Sequence, residues 1–106
     1  MITSQQMRAS RALLGIDQRQ LAELAGLSLP TIQRMEASDG QVRGVVDTLV
    51  KVIGALERAG IELIGENAPS TGIGRGVRMR ETIEGKAATG VGSILFDQAG
   101  SDPERQ

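Results

Sequence analysis

Residues 17–38 read DQRQLAELAGLSLPTIQRMEAS, and no other part of the chain constrains its fold as tightly. Two short amphipathic segments meet at Gly26. Helices this short do not nucleate well enough to stand alone in water. They must pack on each other and on their neighbours. The punctuation is explicit at both starts. Asp17 with Gln20 three residues later fits a capping box, in which each side chain bonds the other's backbone N–H. Ser28 fits an N-cap, with Pro30 just inside the helix, where a missing N–H costs nothing. Gly26 permits the left-handed backbone that ends one helix and turns the chain into the next. Leu21, Leu24 and Ala25 share a face of the first segment at helical spacing, and Ile32 with Met35 anchors the second.

The flanking sequence supplies what this pair needs. Thr3 and Gln6 fit another capping box, with Ile2 and Met7 as the hydrophobic staple around it. Met7, Leu13 and Leu14 are the expected apolar stripe of that first helix, and Gly15 ends it. Residues 38–41 read as a loop. A longer helix is predicted over 45–59, where Val46, Leu49, Val50, Val52, Ile53 and Leu56 make a wide apolar stripe. Such width suggests burial on two sides, one of them another subunit. After Gly60 the period changes. Residues 61–64 and 77–80 read as two short strands around a Gly/Pro/Ser-rich loop, a hairpin that pairing across a dimer would steady. Residues 82–106 lack periodicity and carry two bases against four acids. They read as a flexible acidic tail, in which residues 93–99, with Ile94, Leu95 and Phe96, could form a turn or two of helix. The expected division is therefore 1–59, 60–81 and 82–106.

Composition closes off several functions. The chain of 106 residues contains neither Cys nor His. Disulfides, thiol nucleophiles, Cys/His metal sites and histidine acid–base chemistry are all excluded. No cofactor, metal or catalytic constellation is implied, and an enzyme is the least favoured class. Neither a signal peptide nor an apolar run long enough to cross a membrane is visible, which leads us to expect a cytoplasmic protein. With one aromatic residue, Phe96, the core must be aliphatic. Net charge is −1, yet residues 1–44 carry five basic residues, all Arg, against four acids. A local basic stripe is compatible with that distribution.

Gln18, Leu21, Ala22, Ala25, Gly26, Ser28, Thr31, Ile32, Arg34 and Glu36 stand in unbroken register with a known pattern. The stretch resembles the Cro/CI-type helix-turn-helix of the xenobiotic-response-element family of bacterial regulators, over roughly residues 5–57. Residues 61–80, IELIGENAPSTGIGRGVRMR, also look like the C-terminal extension of a compact subgroup of such proteins, on a less specific match. The fold class expected is mainly α: a compact helix-turn-helix bundle of four to five helices with a short C-terminal β-hairpin at a dimer interface. In such a motif the second of the paired helices enters the major groove and the first crosses the phosphate backbone.

The resemblance implies base-reading positions at Leu29, Pro30, Gln33 and Arg34. Projection at about 100° per residue, from ~3.6 residues per turn, independently points Pro30, Arg34 and Ala37 outward and puts Gln33 on a flank. Leu29 falls at the boundary. Arg34 suits a bidentate contact to guanine, worth ~1–3 kcal/mol of discrimination; a phosphate contact or a solvated arginine is the plain alternative. Gln33 suits adenine, or is merely solvated. Leu29 and Pro30 could meet a thymine methyl, but a core-edge leucine and a helix-starting proline explain them equally well or better. For the DNA backbone the candidates are Gln18, Arg19, Ser28, Thr31 and Arg43. Gln18 is placed by the resemblance at a helix start, where N–H groups can hold phosphate. Arg43 lies in the loop before the long helix. Arg19 is the weakest of the five. Ser28 and Thr31 either cap the helix or bond phosphate. Glu36 is a structural acid in the family. Residues 72–76, GIGRG, do not sit between a strand and a helix and lack a Gly-Lys-Ser/Thr, so they read as a hairpin loop rather than a nucleotide loop. Arg75, Arg78 and Arg80 alternate on one strand and are assigned structural pairing.

These features favour a sequence-specific, homodimeric regulator that binds double-stranded DNA at an inverted repeat through residues 28–37. One rival keeps the fold but adds a job: an antitoxin-type autoregulator that binds a protein partner through its C-terminal tail. Another is an interaction module with degenerate DNA contacts.

Overall fold

In the computed structural model, residues 2–81 are described. Four helices follow in order: α1 (Ser4–Leu14), α2 (Gln18–Ala25), α3 (Leu29–Glu36) and α4 (Val46–Arg58). The molecule is mainly α over these residues, and they close into one globule around a single apolar cluster. The expected termini form as local chemistry dictates. Thr3 caps α1 and Asp17 caps α2, each in a reciprocal capping box with the glutamine three residues on. Ser28 accepts the Thr31 N–H at the start of α3, with Pro30 in the first turn. Gly15 and Gly26 end α1 and α2 at φ 71° and 69°.

The short helices are held as their length demands. α2 packs on both α3 and α4, and α1 on α3. Leu21, Ile32, Val52 and Leu56 are fully buried between them, with Ile2 and Met7 closing the bottom of the same cluster. The N-terminal extension is tied to the loop before α4. Ser4 N–H donates to the Gly40 carbonyl and Val42 N–H to the Ile2 carbonyl, both at 2.9 Å, around a single antiparallel bridge from Thr3 to Gln41. That bridge fixes where Arg43 leaves the globule.

Three expected stripes differ in their details. Leu13 is half exposed, and α1 instead buries Ser4, Met7 and Ser10. The Ser10 hydroxyl is satisfied by the Gln6 carbonyl at 2.7 Å, one turn back. Leu24 is likewise half exposed, its place taken by Ala22, which lets α2 sit close to its neighbours. On α4, Leu49, Val52, Ala55 and Leu56 face the core while Val46 and Val50 face outward.

No strand forms among the described residues. Residues 61–64 run along the globule, with Ile61 and Leu63 packed against the core and the Ile64 carbonyl accepting from Gln6 Nε2 at 3.1 Å. The chain then turns at 65–68, with Asn67 at φ 65°, and returns. Side chains hold the two limbs together. The Glu62 carboxylate accepts from Ser70, Thr71 and Gly72, and Arg78 donates to the Gly65 and Ala68 carbonyls. These bonds do the joining that a backbone ladder between 61–64 and 77–80 was expected to do. The acidic tail and the helical turn expected at 93–99 lie outside the described residues.

Candidate nucleic-acid interface

The outward side of α3 is a polar surface without an ionised group other than arginine. Pro30, Gln33, Arg34 and Ala37 are exposed, as projection requires, and Leu29 is half-buried at the edge. Ile32 and Met35 on the opposite side are 0% and 3% exposed, so the helix cannot roll without opening the core. A chain of hydrogen bonds runs along its flank. Ser28 Oγ and Thr31 Oγ1 are 2.8 Å apart, and Arg34 Nη2 donates to Thr31 Oγ1 at 3.3 Å. The cap of the helix thus also steadies the arginine one turn further on.

The acid of α3 is withdrawn from this surface. Glu36 is 4% exposed. Its carboxylate accepts from Arg11 Nε at 2.6 Å and Nη2 at 2.8 Å, and from Gln18 Nε2 at 3.0 Å. Arg8 donates to the Glu36 backbone carbonyl at 2.6 Å, near the end of α3. Burial alone would push the Glu36 carboxyl up. The hydrogen bonds from Arg11 and Gln18, together with the charges of Arg11 and Arg8, outweigh it and hold the group below the usual carboxylate range. The Arg11 guanidinium is correspondingly held above its ordinary value, chiefly by its hydrogen bond to Glu36. One carboxylate therefore joins α1, α2 and α3, and its negative charge is compensated before any polyanion approaches.

The backbone candidates are distributed around this core. Gln18 is half-buried because its amide is engaged by Glu36, although the Nε2 group keeps a second hydrogen to donate. Arg19 and Arg43 are exposed, Ser28 is exposed, and Thr31 is half-buried. Arg43 follows Val42, which is buried and tied to Ile2, so its backbone is positioned although its side chain is free to swing. The structure thus gathers Ser28, Pro30, Thr31, Gln33 and Arg34 on one helix and its cap. Arg11 and Arg8 were not singled out from sequence. Arg11 stands 25 residues from its partner; the only hint was an acid at a family position known to be structural, which calls for a cation somewhere.

A family model described as helix-turn-helix matches residues 7–44, from within α1 through the loop carrying Arg43. Over residues 7–44 the chain is thus similar to a Cro/CI-type helix-turn-helix. The helix-turn-helix is a DNA-binding module of transcription regulators, and the match suggests that role for this segment. No curated protein and no solved structure matches the chain. Among the described residues no helix is long and apolar enough to cross a membrane.

Proposed function

We propose that this protein is a sequence-specific transcription regulator that binds DNA as a homodimer, each subunit placing residues 28–37 in a major groove. The observation that carries the proposal is the outward face of α3: Pro30, Gln33 and Arg34 exposed on a helix locked by Ile32 and Met35, with its one acid buried. Arg34 reads guanine, supported by its tether to Thr31. Gln33 assists at adenine, and Leu29 and Pro30 set the depth of the helix and meet thymine methyls. Gln18, Arg19, Ser28, Thr31 and Arg43 contact phosphates. Two such helices one DNA turn apart, about 34 Å, read an inverted repeat. The regulator acts in the cytoplasm and carries out no catalysis.

The test begins with selection of bound duplexes from random or genomic DNA, which returns the site and its symmetry. Arg34→Ala is then compared with Arg43→Ala. Losing a bidentate guanine contact costs ~1–3 kcal/mol and relaxes preference at one position, whereas losing a phosphate contact weakens all sequences alike and lowers the salt slope by about one. An unchanged preference in Arg34→Ala would remove the role given to that residue.

A further inference from the structure

The solvent side of α4 carries a short apolar line in its N-terminal half, bordered by Asp47, Lys51, Glu57 and Arg58, and nothing among the described residues covers it. Val46 and Val50 are 67% and 55% exposed, one turn apart, with Val45 beside them at 68%. The same line continues to Gly54, where the exposed line has no side chain, and Ile53 flanks it half-buried. Contiguous apolar surface on an otherwise charged helix marks an interaction site. We infer that this face of α4 is the dimer interface and that its occupant is α4 of a second copy, crossing antiparallel with Val50 on the twofold axis. The inference rests on the dimeric reading above and deepens it.

Self-complementarity selects the second copy and its direction. Val46 and Gly54 lie four residues on either side of Val50. An antiparallel crossing therefore sets Val46 of one subunit over Gly54 of the partner subunit, a side chain against a gap, twice. Arg58 folds its guanidinium across Gly54, where an added Cβ would stand 3.0 Å from Nη1. That flexible end can move aside. Charges match in the same arrangement. Asp47 and Lys51 lie on one flank of the line, paired within the helix at 3.3 Å and exposed. The twofold brings Asp47 of each subunit beside Lys51 of the partner subunit, with Arg58 of the partner subunit on the same flank. A parallel crossing would set Glu57, which projects onto the same line, against its own copy, and like charges repel. A self-complementary patch is what a twofold interface requires.

The patch is one helix face, short of the ~800 Å² per partner of a standard interface. The free dimer should therefore be weak, and two half-sites on one duplex should complete it.

The chain has no cysteine, so one introduced thiol reports on its own copy alone. Facing residues on helices 8–10 Å apart bring their Cα atoms within the ~4.4–6.8 Å that a disulfide spans. Val50→Cys should cross-link into a covalent dimer on mild oxidation, faster on an inverted-repeat duplex than on a half-site. Met79→Cys, in the other exposed apolar segment, should cross-link at least tenfold more slowly. Val50→Glu should give a one-chain mass by light scattering, keep its melting temperature because the position faces solvent, and bind a half-site with unchanged affinity. A wild-type dimer that survives Val50→Glu, or that cross-links through Met79→Cys instead, overturns this interface and leaves the dimeric reading standing. A wild-type chain that is single both free and on the inverted repeat overturns both.

Discussion

Removing one member of the Arg11–Glu36 pair should destabilise this domain markedly, and the two single losses should differ in size. Glu36 is nearly sealed: its side chain is 3% exposed and that of Arg11 20%. Arg11→Leu leaves a buried carboxylate with Gln18 as its remaining side-chain donor, and breaking a buried pair in this way costs ~3–5 kcal/mol. Glu36→Leu leaves a guanidinium with a path to water, so the lower end of that range or less, ~2–3 kcal/mol, is expected. In a small domain each kcal/mol shifts the melting temperature by ~4–8 °C, so Arg11→Leu should lower it by roughly 12 °C or more. The double Leu variant should recover most of the loss, because two apolar groups replace both charges. Circular dichroism melts of the four proteins close the cycle. The pH dependence supplies a second check. The folded carboxyl lies below its unfolded value, so its contribution is present above the ordinary carboxylate pKa and is lost as pH falls through the folded one. In Arg11→Leu the lowering influence of Arg11 is gone while the opposing burial remains, so that acid limb should flatten. Single losses under ~0.5 kcal/mol, or a double variant that is the sum of its singles, would refute the view that this pair locks α1, α2 and α3 together.

Two further outcomes are expected. Gly26→Ala meets no neighbour within 4 Å, so its cost is the left-handed backbone at φ 69°, ~1–2 kcal/mol, measurable by urea unfolding with an unchanged m-value. The exposed Glu62 carboxyl is pulled down to about 2, first by the Thr71 N–H, then by the Ser70 hydroxyl and the Gly72 N–H. Its tether is present above the usual glutamate pKa of ~4.3 and is lost as pH falls through about 2, so Thr71 and Gly72 amides should stay protected from exchange at pH 4 and lose protection in Glu62→Ala at any pH.

The exposure of much of the candidate site is legible in the sequence, because it depends on local chemistry. Pro30, Gln33 and Arg34 point outward since the helical period and the two anchors Ile32 and Met35 leave them no other side. Which charges are buried was not legible in that way. The partner of Glu36 comes from another helix, and no period within α3 names Arg11. Periodicity also left the edges of each stripe undecided. Leu13 and Leu24 fit their stripes as well as the residues that are buried in their place, and only the close approach of α2 to α3 and α4 selects Ala22 over Leu24.

The sequence alone determined where helices begin and end. Capping boxes at Thr3 and Asp17, the Ser28 cap and the glycines at 15 and 26 act within three or four residues, so their outcome does not wait for the fold. Tertiary structure decided what those helices face. It turned Val46 and Val50 to the outside of α4, brought three helices onto one carboxylate, and joined the limbs of 61–78 by side chains without a ladder. The physical reason is range. A cap is settled by bonds between near neighbours, whereas burial and charge pairing are settled by groups far apart in the chain that only the packed globule brings together.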